Sequence, residues 1–162
     1  MGNIISLCLP FLLINLIQTI FFTNGPLRSL GYPDFNLLIV IFAGLSFSRS
    51  KTLEIAFTAG LIRELFSAGR IGPDILIVMA IGLLTSVMQE KIYQENPITL
   101  ATSIFTIVLI GQTGFSVTDF HTIFLPTNEW STILSISIIS ALIAIPTYDI
   151  WQKTFPKRKK YY

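Results

Sequence analysis

ILSISIISALIAIPTYDI, residues 133–150, runs directly into WQKTFPKRKKYY, residues 151–162. The first part holds one charged residue, Asp149; the second holds Lys153, Lys157, Arg158, Lys159 and Lys160. A helix needs about 20 mainly apolar residues to cross roughly 30 Å of hydrocarbon, and Lys and Arg collect where such a helix leaves on the cytoplasmic side. The stretch therefore reads as a membrane-spanning helix that ends in a basic cytoplasmic tail. Working back toward the N-terminus, five more apolar blocks follow the same grammar, at residues 98–117, 75–88, 53–66, 35–47 and 4–22. The blocks at 4–22 and 98–117 have full spanning length. The three central blocks are shorter, so they need polar flanks at the interface or a locally thinned bilayer.

Charge placement orders the blocks. With a cytoplasmic N-terminus, the inner gaps carry Arg49 and Lys51, then Lys91, then the tail, which together hold eight of the eleven basic residues. The outer gaps hold only Arg28 and Arg70, and Arg63 lies inside the third block. The positive-inside rule selects six spans with both termini cytoplasmic, and the stretch 119–129, acidic and free of Lys and Arg, falls outside. The expected fold is an all-α membrane protein, a compact bundle of six transmembrane helices over residues 1–152, with residues 153–162 as a basic cytoplasmic tail.

Composition supports a lipid solvent and narrows the chemistry. Mean hydropathy is +0.69, with 52% hydrophobic and only 12% charged residues, outside the range of an ordinary soluble domain. The net charge of +2 is too small to imply nucleic-acid binding. One cysteine, Cys8, rules out an intramolecular disulfide and a cysteine-based metal site. Asp119 and His121 lack a third ligand within reach in the sequence and make no metal site. No Ser-His-Asp spacing, paired-carboxylate signature or phosphate-cradling glycine loop is present. The chain reads as neither an enzyme nor a cofactor protein.

Punctuation and polar residues mark the positions of interest. Pro33-Asp34 precedes the second block and Pro73-Asp74 the fourth; Pro suits a helix start, and an acid there complements the positive end of the helix dipole. Pro10 and Pro146 should kink the first and sixth helices. Ala56 with Gly60, and Gly82 with Ser86, place small residues at the four-residue spacing that lets helices approach closely. Arg63 and Glu64 are charged within a span, where burial costs at least ~2.5 kcal/mol each at the bilayer centre. Arg63 is expected to snorkel to the outer interface. Glu64, one turn after Gly60, is expected to serve as a structural ion or cap, with a ligand contact as the other reading. Arg70 could meet Glu64 across the following turn or remain a solvated loop residue. Asp149 is expected to cap or to pair with Lys153. Trp130, Tyr148 and Trp151 are expected as interfacial anchors.

The run Gly60-Leu61-Ile62-Arg63-Glu64-Leu65-Phe66-Ser67-Ala68-Gly69-Arg70-Ile71-Gly72 resembles the signature of the rod shape-determining protein MreD family. In that family a Gly-Leu pair is followed by an acid and, past a short turn, by an aliphatic–Gly pair. Tyr32-Pro33-Asp34-Phe35 also resembles the start of the family's second span. This chain has Glu64 where members usually carry Asp, and Arg70 where Pro is frequent. The resemblance implies a non-enzymatic membrane subunit of the bacterial cell-wall elongation machinery in the cytoplasmic membrane. It would dock an MreC-like bitopic scaffold protein and work with the cell-wall synthase and transpeptidase complex. Pro33, Asp34, Gly60, Arg63, Glu64 and Gly72 would be the structural and partner-docking positions.

A second reading is a substrate-binding membrane subunit of an energy-coupling-factor vitamin transporter, a class similar in size and span number. It would use Glu64, Arg70 and Asp119 in an outer pocket. Such subunits often carry alanines on the first helix for docking their transporter, and residues 4–22 contain none.

Overall fold

A computed structural model describes residues 12–14, 16–18, 33–66, 72–89, 97–120 and 127–154. Every element among them is helical: α1 (helical residues 12–14 and 16–18), α2 (Phe35–Ser46), α3 (Arg49–Phe66), α4 (Pro73–Met88), α5 (Pro97–Phe120) and α6 (Thr127–Thr154). α6 continues through Pro146 and reaches two residues past the drawn end of the apolar domain. Within α5 and α6 the stretches Ile98–Val117 and Trp130–Trp151 are long and apolar enough to cross a membrane. α2 and α4 are shorter apolar helices, and α3 begins with the charged turn Arg49-Ser50-Lys51.

Local chemistry explains where the helices start and stop. The Asp34 carboxylate accepts from the Leu37 N–H at 3.0 Å and caps α2. At the other end the Phe47 N–H donates to the Ala43 carbonyl. The Thr52 hydroxyl also donates to Ala43, stitching the first turns of α3 to the last turn of α2. α4 begins with Pro73 at its first position, behind Gly72 at φ +126°, a conformation that favours glycine.

Along the apolar helices the hydroxyls turn back on their own backbone. Thr58, Thr85, Thr102, Ser103, Thr106, Thr113, Ser135, Ser137 and Thr147 each donate to a carbonyl one turn earlier. Polar letters that look foreign to lipid are thereby satisfied inside the helix that carries them.

Helix directions alternate from α2 to α6. The α3–α4 and α5–α6 pairs have the most extensive contacts, and α2 packs on α3, α4, α5 and α6. The Asp34 N–H donates to the Ser140 hydroxyl at 3.0 Å, and the Trp151 indole N–H donates to the Ser46 hydroxyl at 3.0 Å. Those two contacts make α2 and α6 parallel and align them over the same height. The core between the helices is Leu, Ile, Val and Ala, from Leu37 and Ile41 through Ile104 and Val108 to Ala144. Large apolar residues such as Leu76, Ile98, Leu142 and Ile150 point outward on the helix surfaces, the arrangement of a bundle solvated by hydrocarbon.

The expected small-residue contacts form. A Cβ on Gly82 would lie 3.0 Å from Ala56 Cβ, and one on Gly60 would lie 2.7 Å from the Ile75 Cα. Both glycines sit where α3 and α4 cross. Gly44 does the same for α2 against Thr85 of α4.

One anchor is corrected. Tyr148 is only 2% exposed, its ring 5.4 Å from Phe42, so it is a core residue. Its place along the chain is near the helix end, but its azimuth points inward. Trp151 is half-buried beside Phe42 and Phe47, while Trp130 is exposed. Asp149 and Lys153 are both exposed, with no ion pair between them among the described residues. Pro10, Cys8, Arg70 and His121 lie outside the described residues.

Candidate functional site

The two Pro-Asp helix starts, 40 residues apart in sequence, meet on one arginine. Arg63, near the end of α3, donates through Nη1 to Asp34 Oδ2 at 2.8 Å, and its Nε lies 3.3 Å from Asp74 Oδ2. Its guanidinium carbon sits 3.7 Å from the centre of the Phe115 ring of α5. The planar, multi-donor guanidinium suits this position: two of its nitrogens serve two carboxylates while its face lies over an aromatic ring.

Asp34 is the hub. Its side chain is 2% exposed, and beyond Arg63 its Oδ2 accepts from the Gln112 side-chain amide of α5 at 2.6 Å. Its Oδ1 caps α2, and its backbone N–H reaches Ser140 of α6. One residue earlier, the Pro33 carbonyl accepts from the Gln18 side-chain amide of α1 at 3.2 Å. Pro33-Asp34 thus ties α2 to α1, α3, α5 and α6, and Arg63 adds α4.

Glu64 faces the other way. Its Oε1 accepts three backbone N–H groups, from Gly72 at 2.6 Å, Asp74 at 3.1 Å and Ile75 at 3.3 Å. Gly72 has no side chain with which to cap α4, and a carboxylate from the neighbouring helix does that work instead. The capping role expected for Glu64 is what the geometry displays. Its Oε2 is buried and has no partner among the described residues. Two acids, Asp34 and Asp74, meet one arginine here, and the positive N-terminal ends of α2 and α4 add compensation for the acids.

The cluster lies alongside the long apolar stretches of α5 and α6. Ser140, level with Asp34, lies ten residues, about 15 Å, from Trp130 and about 16 Å from Trp151 along α6. On α5, Gln112 lies five residues, about 8 Å, inside Val117. Arg63, 24% exposed, is held by two acids and a ring.

Of the six residues singled out from the sequence, Pro33, Asp34, Arg63, Glu64 and Gly72 converge on this cluster. Gly60 lies one turn below, buried against the α4 backbone. Gln18, Gln112, Phe115 and Ser140 were not singled out. The available signal was a lone glutamine within each of two apolar runs, a residue that lipid does not tolerate unless a partner faces it.

Comparison with known proteins adds one finding. The model of the family described as rod shape-determining protein MreD matches residues 2–153, nearly the whole chain. The chain belongs to the MreD family. Neither curated protein sequences nor solved structures gave a significant match. MreD is a bacterial membrane protein family concerned with cell shape, and the two long apolar helices among the described residues accord with that character.

Proposed function

We propose that this MreD-family chain is a non-enzymatic integral subunit of the bacterial cell-wall elongation machinery. In this reading it crosses the cytoplasmic (inner) membrane six times with both termini inside, residues 153–162 forming the basic tail. It acts by docking partner membrane proteins, an MreC-like bitopic scaffold first and the synthase–transpeptidase complex through or beside it. The observation that carries the reading is the family match over residues 2–153. The geometry supports it in a second way. Arg63, Asp34 and Asp74 are engaged with one another across several helices and so are suited to fixing shape.

Pro33, Asp34, Gly60, Arg63, Glu64 and Gly72 act in this reading by setting how the short helices meet, and so the surface a partner helix finds. No observation favours the vitamin-transporter alternative.

The test is crosslinking in a rod-shaped host, followed by affinity purification in mild detergent, alongside rescue of cell shape after depletion of the host's own protein. Recovery of an MreC-like scaffold and restored rods are expected. Failure of both with a well-folded, membrane-inserted chain would reject the proposal.

A further inference from the structure

A lateral groove of about 220 Å³ lies between α2 and α6, lined by Phe35, Ile39 and Phe42 on one side and Thr147, Ile150 and Trp151 on the other. It makes no polar demand. The Thr147 hydroxyl donates to the Ile143 carbonyl, and the Trp151 indole N–H is held by Ser46. Its height is that of one leaflet. Phe35 stands beside the Asp34 hub, and Trp151 lies about 16 Å below Ser140, against roughly 15 Å for half the hydrocarbon layer. Ile150, 65% exposed, forms its open lip.

Two observations identify the occupant. Of the small residues that let a second transmembrane helix about 10–12 Å across approach closely, the lining contains one, Thr147, among six bulky apolar side chains. The small residues of α2, α3 and α4 are instead used inside the bundle, as at Gly44, Gly60 and Gly82. A narrow apolar slot with bulky walls fits a hydrocarbon chain.

Basic residues lie near the Trp151 end of the slot. Lys153 is exposed one turn beyond Ile150. The Lys51 ammonium lies 4.4 Å from the centre of the Phe47 ring, which in turn packs 6.1 Å from Trp151. Arg49 is exposed at the start of α3, whose N-terminal dipole is positive as well.

We propose that the α2–α6 groove binds one anionic phospholipid, an acyl chain lying in the slot and the phosphate group between Lys51 and Lys153. The inference rests on the membrane-embedded reading of the chain but not on its partners or on its role in cell shape.

The test is native mass spectrometry of delipidated full-length protein titrated with phosphatidylglycerol or with phosphatidylcholine of the same acyl chains. One saturable phosphatidylglycerol site is expected, with weaker phosphatidylcholine binding. The double variant Lys51→Gln/Lys153→Gln should lose about thirtyfold in phosphatidylglycerol affinity and little for phosphatidylcholine. Ile39→Trp, which fills the slot, should weaken both lipids; Ile150→Trp at the lip does the same if the first variant aggregates.

Equal binding of the two lipids by the wild type would overturn the proposal. So would an undiminished preference in the lysine variant, or a photo-crosslinker at Ile150 that captures protein in place of lipid. Rescue of cell shape, scored on the same variants, reports separately on the function proposed above.

Discussion

Asp34 is buried among the helices, and each of its oxygens meets a donor. Removing the charge while keeping the shape isolates the ionic part. In Asp34→Asn the cap of α2 survives, because Asn caps as well as Asp, but Arg63 loses its shorter partner. Breaking a buried pair in this way costs about 3–5 kcal/mol. Asp74→Asn should cost less, since Asp74 is more open and its contact with Arg63 is longer, at 3.3 Å. Unfolding in mixed micelles checks the order, and an equal or larger loss at Asp74 would contradict the hub assignment.

Glu64 makes a second prediction at the same scale. Glu64→Gln keeps an acceptor for the three N–H groups and should cost about 1 kcal/mol, whereas Glu64→Ala strands them and should cost about 2–3 kcal/mol. The sequence made the unusual nature of Asp34, Arg63 and Glu64 plain, because ionisable residues near or within apolar blocks need a reason. Their partners were not legible. Arg63 reaches Asp34 across 29 positions and Gln112 reaches it across 78, distances bridged by helix packing rather than by any local spacing.

At the scale of the helices, the crossing of α3 and α4 depends on hydrogen in place of a methyl group. Gly60→Ala would set a Cβ 2.7 Å from the Ile75 Cα, a backbone atom that cannot turn aside, so the helices must separate. The expected loss is about 1–3 kcal/mol. Gly82→Ala meets the Ala56 Cβ at 3.0 Å and methyl groups of Thr52 and Val40 at 3.4 Å, contacts that are longer and involve no backbone atom, so it should cost less. Thermal melts of the two variants in one detergent give the comparison; a harmless Gly60→Ala would show that the crossing is looser than described.

Helix boundaries were legible where punctuation exists. The apolar block at 35–47 became Phe35–Ser46, and that at 75–88 became Pro73–Met88, because Asp34, Pro73 and Gly72 mark the starts. The block at 53–66 missed the first turn of its helix. Arg49, Ser50 and Lys51 are charged or polar yet helical, and hydropathy registers solvent preference without registering backbone conformation. Tyr148 shows the matching error in azimuth. Position along the chain suggested an interface, while the ring turns inward onto Phe42.

For the whole molecule, the alternating directions of α2 through α6 place Arg49, Lys51 and Lys153 at one end and the start of α6 at the other. The basic end is the cytoplasmic end in the proposed orientation. Overall class, helix number and family were open to sequence reading, because they depend on block length and charge bias. The convergence of the ionic cluster was not, since it follows from how the helices pack.

Cysteine accessibility in spheroplasts tests this arrangement most directly. In a Cys8→Ser background, single cysteines replace Lys51, Asn128 and Lys153, and a membrane-impermeant maleimide is added before or after permeabilisation. The account predicts labelling of Asn128→Cys from outside, and of Lys51→Cys and Lys153→Cys only once the membrane is opened. External labelling at position 51 or 153 of intact spheroplasts would contradict it.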